Sequence, residues 1–422
     1  MPSERVLICG AGVAGSILAF WLAKYDFQVV VIERSKAEQK LGQGIEIEEP
    51  ALRVVQLMDI IDKLNEKRTA ELGFTLVDAQ ARSYGHLEAG GLSPTGALEL
   101  MRGDLTEVLY QSANASANVT YMFETTLHSL RQTENKVIVD LENRNNKTIT
   151  TKEFDLVVGA DGVRSRTRQL VMGPPEELHC YKPVGACVAY FDVPKEEEDS
   201  PYSELCHFPG RRIVWIRPGR KDSKVISVYL IYCNTDVPNL RRANAAGDRQ
   251  KQKEALAELY SGLGWKTPRL MEQMLKSENF YSDELAQVKL PKWFQDRVVL
   301  VGDAAWAPTP FTGEGNQLAI LGGFVLAQEL SRNRNTIGFE MYEKRFRPYV
   351  KKTQSIPLYG YAPFLCNPQT NWGIWIFRMI FWVLSWTIRS GIWTKLGLGS
   401  KEELQHPDLD LETEEAQTKK ER

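Results

Sequence analysis

Histidine and cysteine are scarce in this chain, and neither is arranged to hold a metal ion. The chain has five histidines, and its cysteines lie far apart without a C-x-x-C pair, at positions 9, 180, 187, 206, 233 and 366. This spacing argues against the common zinc-ligand patterns and against a disulfide framework. Scattered cysteines are typical of a reducing compartment, so we expect a cytoplasmic protein without a metal site.

An excess of charge of either sign is also missing. The 422 residues include 52 basic and 54 acidic side chains, for a formal net charge of −2. Broad electrostatic capture of nucleic acid needs a basic surface, so we expect no nucleic-acid partner. Hydrophobic residues make up 43% of the chain, which is ordinary for a globular protein of two domains or one large elaborated domain.

The strongest positive signal lies near the start of the chain. An apolar run at residues 6–9 leads into Gly10-x-Gly12-x-x-Gly15, a helix-forming stretch follows, and a second apolar run ends in Glu33. In such a unit the first glycine allows a tight turn, the second lets a diphosphate approach the backbone, and the third lets the helix pack on the strand. The helix N-terminus favours an anion, and an acid about twenty residues past the glycines accepts hydrogen bonds from a ribose. We therefore predict a dinucleotide site at these four residues.

Three later features extend this prediction, and the residues alone leave an alternative open for two of them. Gly44 either allows another close backbone approach to the nucleotide or simply forms a turn. Arg102 opens an apolar helix and either clamps a phosphate or stays solvated. Asp161 follows a buried strand in the sequence Gly-x-Asp-Gly, which suits a loop folded back over a pyrophosphate.

A second strand–loop–helix unit follows near residue 300. A buried strand at residues 298–301 ends in Gly302 and Asp303, and a helix begins at Asn316 directly after Gly313 and Gly315. Glycines at a helix start leave its N–H groups accessible to an anion. We therefore add Asp303, Gly313, Gly315 and Asn316 to the candidate nucleotide site.

The C-terminal part is rich in tryptophan. Residues 372–393 hold five tryptophans and long apolar runs, interrupted by Arg378 and Arg389. A membrane span needs about twenty apolar residues with few charges, and Arg378 lies near the middle of the best stretch. We predict a pair of helices packed on the core, with contact to a membrane surface and a true span as the alternatives. The charged residues 401–422 are predicted to form a disordered tail.

Three motifs thus stand in order along the chain: the G-x-G-x-x-G with its acid, then Asp161-Gly162, then Gly302-Asp303. Over about residues 5–355 this series resembles the class A flavoprotein monooxygenases, the p-hydroxybenzoate hydroxylase-like family. Within it the chain looks most like the fungal secondary-metabolite hydroxylases and the tetracycline-inactivating flavin enzymes. The resemblance implies non-covalent FAD as cofactor, NADH or NADPH as transient co-substrate, and O₂ and a small organic molecule as partners.

The resemblance also implies roles for single residues. The counterpart of Glu33 binds the adenosine ribose, that of Arg102 binds FAD, and that of Asp303 binds the ribityl and pyrophosphate region. The loop at Asp161 lies near the pyrophosphate and serves NAD(P)H, and the helix start at Gly313 and Gly315 faces the isoalloxazine ring.

The reaction implied by the resemblance begins when NAD(P)H reduces FAD and O₂ adds at flavin C4a. The resulting hydroperoxide hydroxylates or epoxidises a small aromatic or polyketide-like substrate, as a tailoring step of secondary metabolism. The sequence identifies no clear catalytic base. The candidates on predicted strands are Tyr190, Arg212 and Arg217. Two positions depart from the family pattern: Trp306 replaces a histidine common among members, and Gly322 replaces an acid. These departures put the substrate-side chemistry in doubt.

Two alternatives to this function stay open at the level of sequence. A flavin-dependent halogenase carries a W-x-W-x-I-P signature, which residues 214–218 match only in small part. A non-catalytic FAD-binding module at a membrane surface is the other alternative.

The predicted fold class is α/β. We expect a Rossmann-like FAD-binding domain formed by residues 1–72, 98–173 and 285–355. Residues 73–97 and 174–284 form an inserted antiparallel-sheet substrate domain, and residues 356–400 form a C-terminal helical segment.

Overall fold

The protein is described from a computed structural model. The structure describes residues 3–37, 43–90, 93, 98–233, 237–334, 336–355 and 362–391. The strands are β1 (Arg5–Cys9), β2 (Gln28–Ile32), β3 (Gly44–Glu46), β4 (Gly73–Val77), β5 (Ser83–Glu88), β6 (Glu99–Met101), β7 (Val119–Met122), β8 (Thr125–Gln132), β9 (Val137–Asn143), β10 (Ile149–Phe154), β11 (Leu156–Gly159), β12 (Tyr181–Pro194), β13 (Ser203–Phe208), β14 (Arg212–Pro218), β15 (Val225–Tyr232), β16 (Phe280–Val288), β17 (Phe294–Gln295) and β18 (Val298–Leu300). The helices are α1 (Val13–Lys24), α2 (Ala51–Leu57), α3 (Ile61–Glu66), α4 (Arg102–Asn114), α5 (Arg166–Met172), α6 (Pro175–Leu178), α7 (Pro238–Ala246), α8 (Arg249–Leu259), α9 (Thr267–Lys276), α10 (Asp303–Trp306), α11 (Gly315–Arg332), α12 (Thr336–Thr353), α13 (Ala362–Leu365) and α14 (Asn371–Arg389).

A six-stranded, mostly parallel sheet in the order β17–β18–β11–β1–β2–β7 forms the centre of the first unit. Helices α1, α4, α11 and α12 pack on one face, and the antiparallel sheet β8–β9–β10 packs on the other. Because both faces are covered, β1 and β11 are continuous apolar runs rather than alternating ones.

The parallel pairing brings the sequence motifs together. Strands β1, β2, β11 and β18 run in the same direction. Gly10, Glu33, Asp161 and Asp303 each follow the carboxyl end of one of these strands, so they meet at one edge of the sheet. Ligands of open α/β sheets bind at this edge.

The second unit is a seven-stranded sheet in the order β16–β12–β15–β14–β13–β4–β5. Its pairs are antiparallel except β13 with β4. Helices α7, α8 and α9 pack on one face. The other face meets the two-stranded ribbon β3–β6 and α14. The predicted α/β class with a second, antiparallel sheet is confirmed, whereas the domain limits stay predictions.

The structure corrects the predicted pair of helices in the tryptophan-rich segment to a single helix, which packs on the antiparallel sheet with one side and exposes its tryptophans on the other. This helix is α14, which the Thr370 hydroxyl caps by accepting the Gly373 N–H at 3.1 Å. Trp372 is 68% exposed and Trp382 53% exposed. In the described part of the chain, no helix has the length and apolar character that crossing a membrane requires. Residues 392 and 393 of the segment and the expected tail at residues 401–422 lie outside the described residues.

Candidate functional site

The turn between β1 and α1 uses its three glycines in two different ways. A Cβ on Gly10 would lie 2.4 Å from the Ala160 carbonyl oxygen, and a Cβ on Gly15 would lie 2.0 Å from the Gly10 carbonyl oxygen. The packing of the chain itself therefore requires both. Gly12 has an ordinary extended backbone with φ −76°, and a Cβ there would meet nothing within 4 Å. The space in front of Gly12 is open, at a helix start whose N–H groups lack carbonyl partners within the helix. That open space fits the diphosphate of a dinucleotide.

Glu33 lies beside this turn, directly after β2. One carboxylate oxygen accepts the Ala11 N–H at 3.1 Å, and the other accepts the Ser35 N–H at 3.0 Å. The half-buried side chain thus links the Gly-rich turn to the loop after β2. A carboxylate offers about four lone-pair sites, so Glu33 keeps the capacity to accept ribose hydroxyls.

Asp303 and Arg102 lie close together next to the same turn. Gly302, before Asp303, has φ +68°, and a Cβ there would lie 3.0 Å from the Ala14 Cβ, so the β18 loop rests against α1. Burial raises the pKa of the Asp303 carboxyl, and the positive charge of Arg102 opposes part of this effect. Arg102 is the first residue of α4, and its side chain is exposed. The structure therefore brings these two predicted site residues together.

Gly44 lies between the two sheets on the ribbon β3–β6. Its N–H donates to the Tyr229 hydroxyl at 2.7 Å. A Cβ on Gly44 would lie 3.1 Å from Glu99 Oε1 and 3.2 Å from Arg217 Nη1. The antiparallel sheet therefore holds the segment at Gly44 (the Gly44 loop), and a larger residue at this position would displace that segment.

Gly313, Gly315 and Asn316 lie at the beginning of α11. Gly313 has φ +70°, a left-handed conformation that favours glycine. A Cβ on Gly313 would meet nothing within 4 Å, and one on Gly315 would meet only Pro308 at 3.9 Å. As at Gly12, these glycines leave space beside a helix start.

The Asp161 side chain makes hydrogen bonds within its own loop. One carboxylate oxygen accepts both the N–H and the hydroxyl of Thr167, at 2.9 and 3.0 Å, and the other accepts the Ser165 hydroxyl. The side chain therefore ties its own loop to the start of α5. The main chain beside it is open to a cofactor at Gly162, which has φ +81° and nothing within 4 Å of an added Cβ.

Arg168 joins two of the site loops and was missed by the sequence analysis. Its buried guanidinium donates to the Ala304 carbonyl at 2.8 Å and to the Val163 carbonyl at 2.7 Å. It thus connects the loop after β11 to the loop after β18. The sequence does not distinguish it from Arg164 and Arg166, because all three follow the same motif at alternate positions.

A row of aromatic rings crosses the seven-stranded sheet on the side that faces Gly44. Neighbouring ring centroids lie 4.8 to 6.2 Å apart. This aromatic row consists, in order, of Phe381, Phe74, Trp215, Tyr229, Tyr190 and Tyr281. The Trp215 indole N–H has no partner among the described residues. Burial raises the pKa of Tyr229 to about 12 and that of Tyr190 above its ordinary value, so both phenols are protonated at neutral pH.

None of the three candidate bases presents a basic atom to this row. Tyr190 stays protonated, and Arg212 donates to two main-chain carbonyls at 2.9 and 2.6 Å. Arg217 is buried and paired with Glu71 at 3.0 Å and with Glu99. Burial lowers the pKa of Arg217, but the two carboxylates outweigh this and hold it above the ordinary value.

The two departures from the family pattern, at positions 306 and 322, are coupled because these residues are in contact. Trp306 is buried, and its indole N–H donates to the Tyr342 hydroxyl at 3.0 Å. A Cβ on Gly322 would lie 2.6 Å from Trp306 Cζ2 and 3.1 Å from Phe346 Cε1. The indole thus fills the space that a side chain at position 322 would need.

Gly322→Ala is expected to lower the free energy of unfolding by about 1–3 kcal/mol, the usual range for overpacking a core. In a Trp306→His background the same substitution should cost much less, because an imidazole leaves that space open. A double-mutant cycle by urea unfolding measures the coupling. Equal losses in both backgrounds would contradict the pairing of Trp306 with Gly322.

A cavity of about 690 Å³ is lined in part by Val163 and Arg164 of the Asp161 loop. Its wall includes the cations of Arg164, Lys182 and Arg241 and the acids Glu176 and Glu284. The Arg164 guanidinium is paired with Asp283 at 2.7 Å.

Comparison with known proteins agrees with this geometry. The family described as "FAD binding domain" matches residues 3–353. The chain is 34% identical to Monooxygenase CTB7 of Cercospora beticola over 412 residues, which is 94% of this chain and 96% of that protein. It is 31% identical to Flavin-dependent monooxygenase eupH of Phoma sp over 403 residues, 89% of this chain and 90% of that protein. The crystal structure of tetracycline destructase Tet(55) has a TM-score of 0.76 at 27% identity, covering 92% of this chain and 97% of that one.

Proposed function

The chain belongs to the class A FAD-dependent monooxygenases, and from this premise we propose that it hydroxylates or epoxidises a small aromatic or polyketide-like substrate in secondary metabolism. The enzyme is a flavoprotein monooxygenase that uses NAD(P)H and O₂. The proposed substrate class is supported by the aromatic row, which lies against the Gly44 loop between the two sheets.

In this proposal the site residues hold FAD along the edge of the parallel sheet. The open space at Gly12 takes the pyrophosphate at the start of α1. Glu33 accepts the adenosine ribose hydroxyls, and Arg102 and Asp303 lie beside the ribityl chain. The Gly44 loop and the start of α11 border the ring. Bound there, FAD supplies the hydride acceptor and the activation of O₂. The protein orients the reactants and keeps water out of the space between the sheets.

The chemistry of the aromatic row supports a flat substrate without a strong charge. Ring faces stack with ring faces, and the Trp215 N–H, which has no partner among the described residues, supplies a donor. Tyr190 and Tyr229 are protonated, and the charge of Arg217 is compensated by Glu71 and Glu99. Such a wall suits aromatic rings that carry oxygen acceptors.

We place the docking of NAD(P)H in the cavity behind the Asp161 loop. Lys182 and Arg241 are exposed on its wall, where cations attract the phosphates of a dinucleotide. The cavity is lined by Val163 and Arg164 of the loop that we expect near the FAD pyrophosphate, so a nucleotide there would lie next to the cofactor site.

The double substitution Lys182→Glu and Arg241→Glu is expected to raise KM for NAD(P)H about tenfold or more, since each reversal turns an attraction for phosphate into repulsion. FAD content should stay unchanged. Steady-state NAD(P)H oxidation measures the effect, with Lys352→Glu on α12 as a control for added negative charge. An unchanged KM would place the nucleotide elsewhere.

The proposed function is tested by scanning aromatic compounds for substrate-stimulated NAD(P)H oxidation. Products formed under ¹⁸O-labelled O₂ are then analysed by mass spectrometry, and a monooxygenase incorporates one labelled atom. A product that requires and contains a halide would favour a halogenase instead. A protein that binds FAD but oxidises NAD(P)H with none of the compounds would favour the non-catalytic module.

A further inference from the structure

We propose that the outer face of α14 docks the protein on the surface of an anionic lipid bilayer. The outer face consists of large apolar side chains that are 40–68% exposed, namely Trp372, Trp375, Ile376, Ile380, Trp382, Val383 and Trp386. A contiguous exposed apolar patch of this kind marks an interaction site rather than ordinary surface.

The inner side of α14 is fixed to the antiparallel sheet. The Phe381 ring lies 5.6 Å from the Phe74 ring of β4, and the Ser385 hydroxyl donates to the His86 carbonyl at 2.8 Å. A Cβ on Gly85 would lie 2.7 Å from Ser385 Oγ, so helix and strand are in close contact. The helix is therefore held by the antiparallel sheet at several turns, with its outer face turned to solvent.

The side chains of the outer face are distributed around the helix axis as in a helix that lies in a membrane interface. At about 100° per residue, Trp375, Trp382 and Trp386 fall within an arc of about 40°. Arg389 lies next to that arc, whereas Ile376, Val383 and Ile380 occupy the opposite margin of the face. Indole N–H groups and a guanidinium along one margin suit lipid headgroups, and an aliphatic margin suits acyl chains. The long Arg389 side chain can extend to the headgroup level.

Charge favours a lipid surface over the other possible occupants. Arg389 is exposed beside the outer face and α14 has no carboxylate, which complements anionic headgroups, whereas Arg378 lies inward against the Tyr84 ring and the His207 carbonyl. A symmetric dimer through this face would offer Arg389 no carboxylate from the second copy's α14. Residues 401–422 contain more acids than bases, a composition unsuited to covering an apolar face.

The test uses the full-length protein with bound FAD and two kinds of vesicle, phosphatidylcholine alone and phosphatidylcholine mixed with phosphatidylserine. We expect the protein to sediment with the mixed vesicles and much less with the neutral ones. Trp375→Glu combined with Trp382→Glu should lower the bound fraction about tenfold, because both charges enter the interface. The matched control adds the same charge at exposed apolar residues elsewhere, as Ile149→Glu with Met341→Glu, and should bind like the wild type.

Flavin absorbance checks that the double α14 variant is folded. If that variant loses FAD, the test is repeated with Trp382→Ser, which adds no charge. A wild-type protein that stays in the supernatant overturns the proposal, as does equal binding by the α14 variant and the control. A dimer in light scattering that dissociates in the α14 variant, without vesicle binding, assigns the face to a second copy. Vesicle binding that appears only after truncation behind Gly391 assigns it to the chain's own C-terminal residues. Both results also overturn the proposal.

Discussion

Gly12→Val protein is expected to fold normally and to lose nearly all of its FAD. The backbone of Gly12 is extended with φ −76°, and a Cβ there meets nothing within 4 Å, so the apoprotein accepts a side chain. A non-glycine residue at a compatible position restricts the unfolded chain and stabilises a protein by about 0.4–1 kcal/mol. The same side chain fills the space proposed for the pyrophosphate. We expect the Kd for FAD to rise at least about a hundredfold, a loss of about 3 kcal/mol.

Absorbance of the purified protein and FAD titration of the apoprotein measure the binding, and urea unfolding of the apoprotein measures the stability. Gly15→Ala is the matched control, because its Cβ would lie 2.0 Å from the Gly10 carbonyl oxygen. It should destabilise the fold by about 1–3 kcal/mol or more. Full FAD retention by Gly12→Val protein would contradict the proposed site.

The first motif could be predicted from the sequence because its chemistry is local. Gly10, Gly12, Gly15 and Glu33 belong to one strand–turn–helix–strand unit, whose geometry is set by neighbouring residues. The α/β fold class followed for the same reason, since buried parallel strands are short apolar runs followed by loops and helices. The parallel pairing of four such strands then brings distant motifs to one edge without further information.

Features that depend on side-chain direction after a loop were not predictable. The Asp161 carboxylate turns towards Thr167, and Arg168 turns inward while Arg164 and Arg166 are exposed. No periodic pattern encodes these choices, because they depend on which carbonyl groups the folded loops present. The contact between Trp306 and Gly322 escaped prediction because each residue alone looks like an isolated departure from the family.

The outer face of α14 shows a limit of the apolar pattern itself. Apolar residues occur on almost every side of this helix, and a helix that is apolar all round is expected to be buried. The packed helix pair was predicted because Arg378 interrupts the apolar stretch, an argument that does not identify the covered side of a helix. Only the structure identifies which side meets the sheet, through Phe381 and Ser385, and which side is left exposed.

Asp303→Ala apoprotein is expected to be more stable than the wild type at neutral pH, although it binds FAD more weakly. Burial raises the pKa of this carboxyl in the folded state, and Arg102 opposes the shift only in part. A raised acid pKa means that folding disfavours the charged form. Below the ordinary Asp pKa of about 3.9 both states are protonated and the penalty is absent. This penalty grows as the pH rises from about 3.9 through the raised pKa. The stability gained by removing the carboxyl should therefore be small in acid and largest at neutral pH.

The expected effect on FAD has the opposite sign, because hydrogen bonds to a charged acceptor contribute about 1.5–3 kcal/mol. Losing them should raise the Kd for FAD by about ten- to a hundredfold. Urea unfolding of the apoprotein at about pH 4 and at neutral pH, with FAD titration at neutral pH, measures both effects. Asp161→Ala is the control, since its carboxylate accepts bonds from Thr167 and Ser165 and its loss should destabilise the apoprotein. Destabilisation by both substitutions, or an unchanged FAD affinity in Asp303→Ala protein, would assign Asp303 to the fold rather than to the cofactor site.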